Sequence, residues 1–259
     1  MQPLDALYLS PHLDDAALSC GGQIAEATRQ GRRVLVVTLF AADEPEAPPS
    51  DLARALHAAF GLDHGIVAAR RAEDEAAMRE LGCDSERWTE TEGIYRLDPQ
   101  SGAPLYPTLE ALFGSPVPAD DPLVETLHRR LADLPPAARV VAPLGVGGHV
   151  DHAIVRRAAE RQFGPAPLCY YEDYPYVQRP LALWRVLRWR RGWRSAVEPF
   201  GAMALEAKLE AIASYDSQVK PLFGDHARLR RKVMMHRRRL GGERLWRRAA
   251  TSRKERKQA

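Results

Sequence analysis

Apolar and polar positions along this chain follow two different periods. Residues 6–10 (ALYLS) and 33–39 (RVLVVTL) are short β-prone runs, the second almost continuously apolar, as in a strand covered on both faces. Between them residues 22–30 read as a helix that stops at Gly31, where a residue free to take positive φ closes the last turn. Strand, helix and strand in that order make a βαβ unit, so a parallel sheet and an α/β fold are expected. Asp51 can cap a helix carrying Leu52, Leu56 and Phe60, and residues 70–81 predict another that ends at Gly82. Helical spacing resumes over 121–134 and is stopped by Pro135 and Pro136; a strand at 138–142, a helix to about 162, a strand at 168–172 and a helix over 203–215 follow. Residues 84–119 lack either period. They are expected to form a loop-rich region over one end of the sheet, the kind of segment that walls a substrate site.

Composition narrows the class. At 259 residues and 45% hydrophobic the chain can bury a core as one large domain. Cys20, Cys83 and Cys169 are too few and too scattered for a disulfide framework or a cysteine zinc site, which fits a reducing compartment. With no leader-like start and no apolar run long enough to span a membrane, a cytoplasmic protein is expected. The net charge of +3 hides a division: residues 226–259 hold 14 Lys and Arg against 2 Asp and Glu, leaving residues 1–225 at −9. An acidic body argues against nucleic-acid binding by the body itself. The expected organisation is a domain over 1–225 and a basic extension over 226–259, helical or disordered. Its arginines suit phosphates, anionic lipid, an acidic partner or the body's own surface.

Two polar clusters sit where strands end. In the first, His12 and Asp15 are three apart, a spacing that can aim imidazole and carboxylate at one point while Asp14 faces a water there. In the second, His149 and His152 repeat the spacing, and Asp151 can orient an imidazole by accepting its second N–H. Two His and one Asp suit a catalytic zinc ion, because three protein ligands leave a position open for water. Either cluster alone also fits a hydrogen-bonded structural histidine. Together they favour a metal, since adjacent carboxylates repel each other without a cation. Ligands bind outside the carboxyl ends of strands in open α/β sheets, so both clusters are expected to face one cleft.

The stretch LSPHLDDAALSCGG (9–22), paired with GHVDH (148–152), resembles the two signature motifs of the PIG-L/LmbE-like de-N-acetylases, which commonly read Pro/Ala-His-Pro-Asp-Asp-Glu and His-Pro-Asp-His. The resemblance extends over most of residues 6–220 through Arg70–Glu73, Leu81–Gly82, Tyr171–Tyr176, Lys208 and Tyr215–Gln218. It implies a Rossmann-like three-layer sandwich with a mainly parallel sheet and a zinc-dependent hydrolase acting on N-acetylglucosamine-type substrates. It further implies His12, Asp15 and His152 as zinc ligands, Asp14 as general base, a protonated His149 that steadies the oxyanion or protonates the leaving amine, and Arg70 as a substrate contact. For Arg70 a helix-start salt bridge to Glu73 or Asp74 is an equal alternative.

The chain departs from the pattern at Leu13, Ala16 and Val150, none of them an implied ligand. Gly147 stands where some members have a Tyr, so either zinc and His149 stabilise the oxyanion or Tyr95 or a Tyr of 170–176 reaches in from elsewhere. Other features have plain structural readings. Cys20 is expected to pack; His57, His64, His128, His226 and His236 to be surface or capping residues; the tyrosines at 170–176 to be core and rim; and the Arg/Trp-rich residues 184–193 to form a β-hairpin. A nucleotide-binding enzyme is disfavoured, because no glycine-rich phosphate loop follows the first strand. Two rivals remain: a metal- or sugar-binding protein of the same fold without turnover, and an adaptor acting on membrane or nucleic acid through the basic tail.

Overall fold

The computed structural model describes residues 2–48, 50–60, 65–188 and 192–248. Seven strands form one sheet: β1 (Leu4–Ser10), β2 (Val34–Thr38), β3 (Asp84–Arg87), β4 (Ala137–Pro143), β5 (Leu168–Tyr171), β6 (Trp193–Glu198) and β7 (Glu243–Arg248). Their order is β3-β2-β1-β4-β5-β7-β6. The first five strands are mutually parallel, and β7 runs antiparallel to both β5 and β6. The helices are α1 (Asp15–Arg29), α2 (Asp51–Phe60), α3 (Ile66–Leu81), α4 (Leu109–Leu112), α5 (Asp121–Ala132), α6 (Val150–Gln162), α7 (Ala182–Leu187), α8 (Ala202–Ala213), α9 (Asp216–Phe223) and α10 (His226–Leu240).

Alternation along the strands builds two cores. Tyr8, Val34, Val36, Val141 and Tyr171 face one side of the sheet, where they meet Leu18 and Ile24 of α1, Met78 of α3, Leu209 of α8 and Val233 of α10. Leu7, Leu9, Val37, Val140 and Ala142 face the other, against Val124 and Leu127 of α5 and Ile154 and Val155 of α6. Strand order turns back between β1 and β4: from β1 the chain winds outward to β2 and β3, and later strands are added on the β4 side. The crevice at the carboxyl ends of β1 and β4 is therefore the topological switch point, where open α/β sheets bind ligands.

Four expectations are corrected. The segment after residue 225 is not a separate extension: α10 buries Leu229 and Val233, and β7 lies inside the sheet between β5 and β6. Residues 249–259 of that extension lie outside the described residues. The hairpin expected over 184–193 is instead helix α7 followed by β6, whose antiparallel partner is the distant β7. The loop-rich stretch contains a strand, β3, short and polar because it forms the sheet edge. Finally, α1 begins at Asp15 rather than near residue 22, and the Ala-rich residues 16–20 are helical. Its internal Gly22 has a local cause, since a Cβ there would come 2.5 Å from the Phe200 ring.

Candidate active site

The turn from β1 into α1 carries the first cluster. Ser10 Oγ donates to His12 O (2.8 Å) and accepts from Ala16 N (3.0 Å), which caps α1 and fixes the path of residues 11–15. Within that turn Asp14 adopts φ 146°, a strained conformation for a residue with a side chain. The second cluster lies on the turn from β4 into α6, where His149 is the N-cap and its Nδ1 accepts from Asp151 N (3.2 Å).

Because β1 and β4 are neighbours, the two turns meet. Asp15 Oδ2 is 3.2 Å from His12 Nδ1 and 3.2 Å from His152 Nε2. The remaining ring nitrogens are held from behind: His12 Nε2 by Asp151 Oδ2 at 2.9 Å, and His152 Nδ1 by Asp173 Oδ1 at 2.6 Å. His149 packs edge-on to His12 with ring centroids 4.7 Å apart, so the three histidines converge on one point. All six predicted motif residues, His12, Asp14, Asp15, His149, Asp151 and His152, thus come together, and Asp151 serves His12, an imidazole of the other cluster.

Charge is concentrated here. Asp15 is held well below the usual carboxylate range, the positive pull of His152 and His12 outweighing burial. Asp14 moves the opposite way, pushed up to about 8 by burial and by the adjacent Asp15 charge. Adjacent carboxylates forced apart in this way are what a site does when it divides ligand and proton-accepting roles. His149 is held well below the usual imidazole range by burial and by His12. Since the Asp151 N–H can only donate, His149 Nδ1 is an acceptor and its proton sits on Nε2. With Nδ1 turned to the backbone, the ring presents its Nε2 N–H toward the cleft.

The cleft over these groups has a volume of about 160 Å³. Arg70 and Glu92 form one polar wall; Leu56, Ile94, Leu112, Phe113 and Tyr176 form the apolar ones. Arg70 pairs with Glu92 (2.9 Å), while Glu73 accepts from Ser217 and Asp74 from Arg87. Residues 84–119 do contribute walls, as expected of that loop-rich segment. Gly147, at φ 102°, lies under the Tyr176 ring, and a Cβ there would meet Tyr176 Cγ at 2.8 Å. Tyr176 thus fills the space beside the vacant Tyr position, whereas Tyr95 is turned to His57, its OH 2.6 Å from Nε2. His57 is consequently buried and not the surface residue expected; His64 lies outside the described residues. Cys20, Tyr170, Tyr171 and Tyr174 are core, as expected.

Sequence reading missed Asp173, Glu92 and Arg96. Asp173 had a usable signal, because it follows β5, the third parallel strand whose carboxyl end opens on the crevice. Glu92 and Arg96 come from irregular chain with no spacing to mark them.

The family model of the GlcNAc-PI de-N-acetylases, PIG-L, matches residues 7–163, which span both clusters. The chain belongs to the PIG-L family. It is a deacetylase, a hydrolase that releases acetyl from nitrogen. The 2'-N-acetylparomamine deacetylase of Niallia circulans is 32% identical over 238 residues, covering 85% of this chain and 83% of that protein. The enzyme of the same description from Streptomyces fradiae is 32% identical over 227 residues, 82% of this chain and 72% of that one. Among solved structures, the zinc-inhibited form of teicoplanin deacetylase superposes with a TM-score of 0.79 at 30% identity, covering 95% of this chain and 99% of that chain. The deacetylase of the A40926 pseudoaglycone gives 0.72 at 28% identity, with 97% and 100% covered.

Proposed function

We propose that this PIG-L deacetylase is a zinc-dependent hydrolase of an N-acetylated amino sugar or sugar conjugate, with His12, Asp15 and His152 as metal ligands. The observation that carries the reading is Asp15 Oδ2 lying 3.2 Å from both His12 Nδ1 and His152 Nε2. An ion with bonds of about 2.0–2.1 Å and tetrahedral geometry has ligand–ligand edges of about 3.3–3.4 Å, so these atoms are spaced for one. The buried carboxylates of Asp14, Asp15, Asp151 and Asp173 add negative charge that a dication offsets. His149 converges on the same point. Its Nδ1 is occupied by the α6 backbone, which would leave the ring beside the metal rather than on it.

When bound, the ion supplies Lewis acidity, bringing water toward ionisation at neutral pH and drawing charge from the amide carbonyl. Asp14 accepts the proton of the attacking water, its backbone strain fixing the carboxylate over the site. The neutral His149 donates its Nε2 proton as a hydrogen bond to the developing oxyanion. Arg70, held by Glu92 on the wall of the cleft, would meet sugar hydroxyls or a phosphate of the substrate. Relatives that act on an acetylated aminoglycoside and on glycopeptide antibiotics support an amino-sugar substrate. The same reading takes the sheet with helices on both faces as a Rossmann-like three-layer sandwich working in the cytoplasm. The exposed Arg231, Arg238 and Arg239 would meet an anionic partner or lipid.

Asp14→Asn tests the catalytic reading against a protein that only binds. The variant should retain metal, measured by elemental analysis, and lose about 10²–10⁴-fold in acetate release. Full activity would remove Asp14 from its role. Ending the chain after Arg248, which keeps β7, together with Arg231→Gln, Arg238→Gln and Arg239→Gln thins the basic charge of 226–259 and tests the adaptor reading; undiminished turnover on a soluble acetylated amino sugar would place the chemistry away from that charge.

A further inference from the structure

Behind the two clusters runs a buried polar chain. Asp151, fully buried, accepts from His12 Nε2 (2.9 Å), Gly93 N (2.9 Å) and Arg96 Nη1 (2.5 Å). Arg96 is itself 8% exposed and reaches the other way to Asp120, with Nη2 3.2 Å from Oδ2. Tyr106 OH donates to the same Asp120 oxygen. The guanidinium is also clamped between two rings, its carbon 5.5 Å from the Phe40 centroid and 5.3 Å from that of Tyr106. Arg96 therefore lies outside the cleft lining, yet among the described residues it is the arginine bonded to the carboxylate that holds His12.

The geometry points to Arg96 as a positioning residue of the metal centre, acting on His12 through Asp151. The physical reason is the cost of an unpaired buried charge. An ionised Asp151 can accept the His12 Nε2 proton, which leaves the Nδ1 lone pair facing Asp15 Oδ2 at 3.2 Å. Without Arg96 that carboxylate loses the donor that holds its other oxygen, and with it the contact that fixes its plane toward His12. His12 then loses the partner that fixes its tautomer and ring angle. Asp120 and the two rings keep the guanidinium in place, so Tyr106, Asp120, Arg96, Asp151 and His12 act in series. The inference rests on the metal-centre reading above and adds to it a residue outside both motifs.

The test is metal affinity, measured with zinc and with cobalt by chelator competition on the full-length chain, together with the cobalt absorption spectrum and the thermal midpoint. Arg96→Gln should bind metal about 10–100-fold more weakly, the range found when the partner of a ligating histidine is disturbed, and should alter the cobalt bands. Arg96→Lys should recover part of the loss, since an ammonium restores charge but cannot span Asp151 and Asp120 as a fork. Arg156→Gln is the comparison: Arg156 is also buried, but bonds Leu144 O and Glu160. It should lower the midpoint and leave the affinity alone. If Arg96→Gln does not fold, Asp120→Asn, which only loosens the guanidinium, should weaken metal binding several-fold. Wild-type affinity and an unchanged cobalt spectrum in the Arg96 variants would overturn the inference while leaving the metal centre intact. An equal loss of affinity in Arg156→Gln would overturn it too, by reducing the effect to general destabilisation. A wild-type protein that binds neither ion would overturn both readings.

Discussion

Glu243 offers a sharp test of how the last strand is held. Its Oε1 accepts from Gly22 N (2.9 Å) and Lys208 Nζ (2.6 Å), and its Oε2 from Gln23 N (2.9 Å) and Gln23 Nε2 (3.2 Å). Lys208 Nζ also donates to Leu18 O (2.8 Å), so the ion pair bridges one turn of α1, and both partners are 5% exposed or less. Every group facing the carboxylate is a donor. Glu243→Gln is therefore not conservative, for whichever way the amide turns, its NH₂ meets two donors and Lys208 is left buried without a counter-charge. Breaking such a pair costs about 3–5 kcal/mol. At roughly 2–4 °C per kcal/mol for a chain of this size, the midpoint should fall by about 6–20 °C in a thermal melt followed by circular dichroism. Ending the chain at Asp225 removes the pair and the burial of Leu229, Val233 and Leu245, a loss of about 8–14 kcal/mol, as large as the whole stability of an ordinary domain. That truncation should not yield a folded protein. An exposed charge such as Arg239→Gln should change stability by less than about 0.5 kcal/mol. A Glu243→Gln variant that melts within about 2 °C of wild type would refute the reasoning, because a change that small corresponds to less than about 1 kcal/mol.

Three other outcomes follow from the site and its surroundings. Asp173→Asn keeps the volume but offers His152 Nδ1 a weaker acceptor, and chelator competition should show metal binding about 10–100-fold weaker. Gly147→Ala places a Cβ against Tyr176 at φ 102°, so it should destabilise the fold by about 1–3 kcal/mol in urea titration and raise KM by moving the Tyr176 wall. Burial and the nearby Lys208 charge push His236 down to about 4, whereas the unfolded chain takes up that proton near pH 6.5. The neutral folded form thus contributes stability above about 6.5 that is lost as pH falls toward 4; His236→Gln should flatten that part of the stability profile.

The parts of this molecule legible in sequence are those whose physics is local. Strands β1, β2, β4 and β5 are apolar on both faces because helices cover both, and that pattern needs no knowledge of the partner strand. The two polar clusters are legible for a related reason: each is a short run at a strand end, and the switch-point rule brings the ends of β1 and β4 together. What stayed hidden depends on partners distant in sequence. β7 reads as a run of charges, yet it is a sheet strand because Glu243 meets α1 and Lys208 and because Arg244 and Trp246 both bond Glu172. β3 is hidden for the opposite reason, a polar edge strand needing little apolar pattern at all. Arg96 shares this concealment, since an arginine in an irregular loop carries no spacing to mark it, and only the fold reveals the two buried carboxylates on either side. The histidines and aspartates at the crevice are thus written into motifs, while the groups that hold them in place come from wherever the fold returns to it. A search confined to motifs therefore finds the side chains that converge on the crevice and overlooks the charges that aim them.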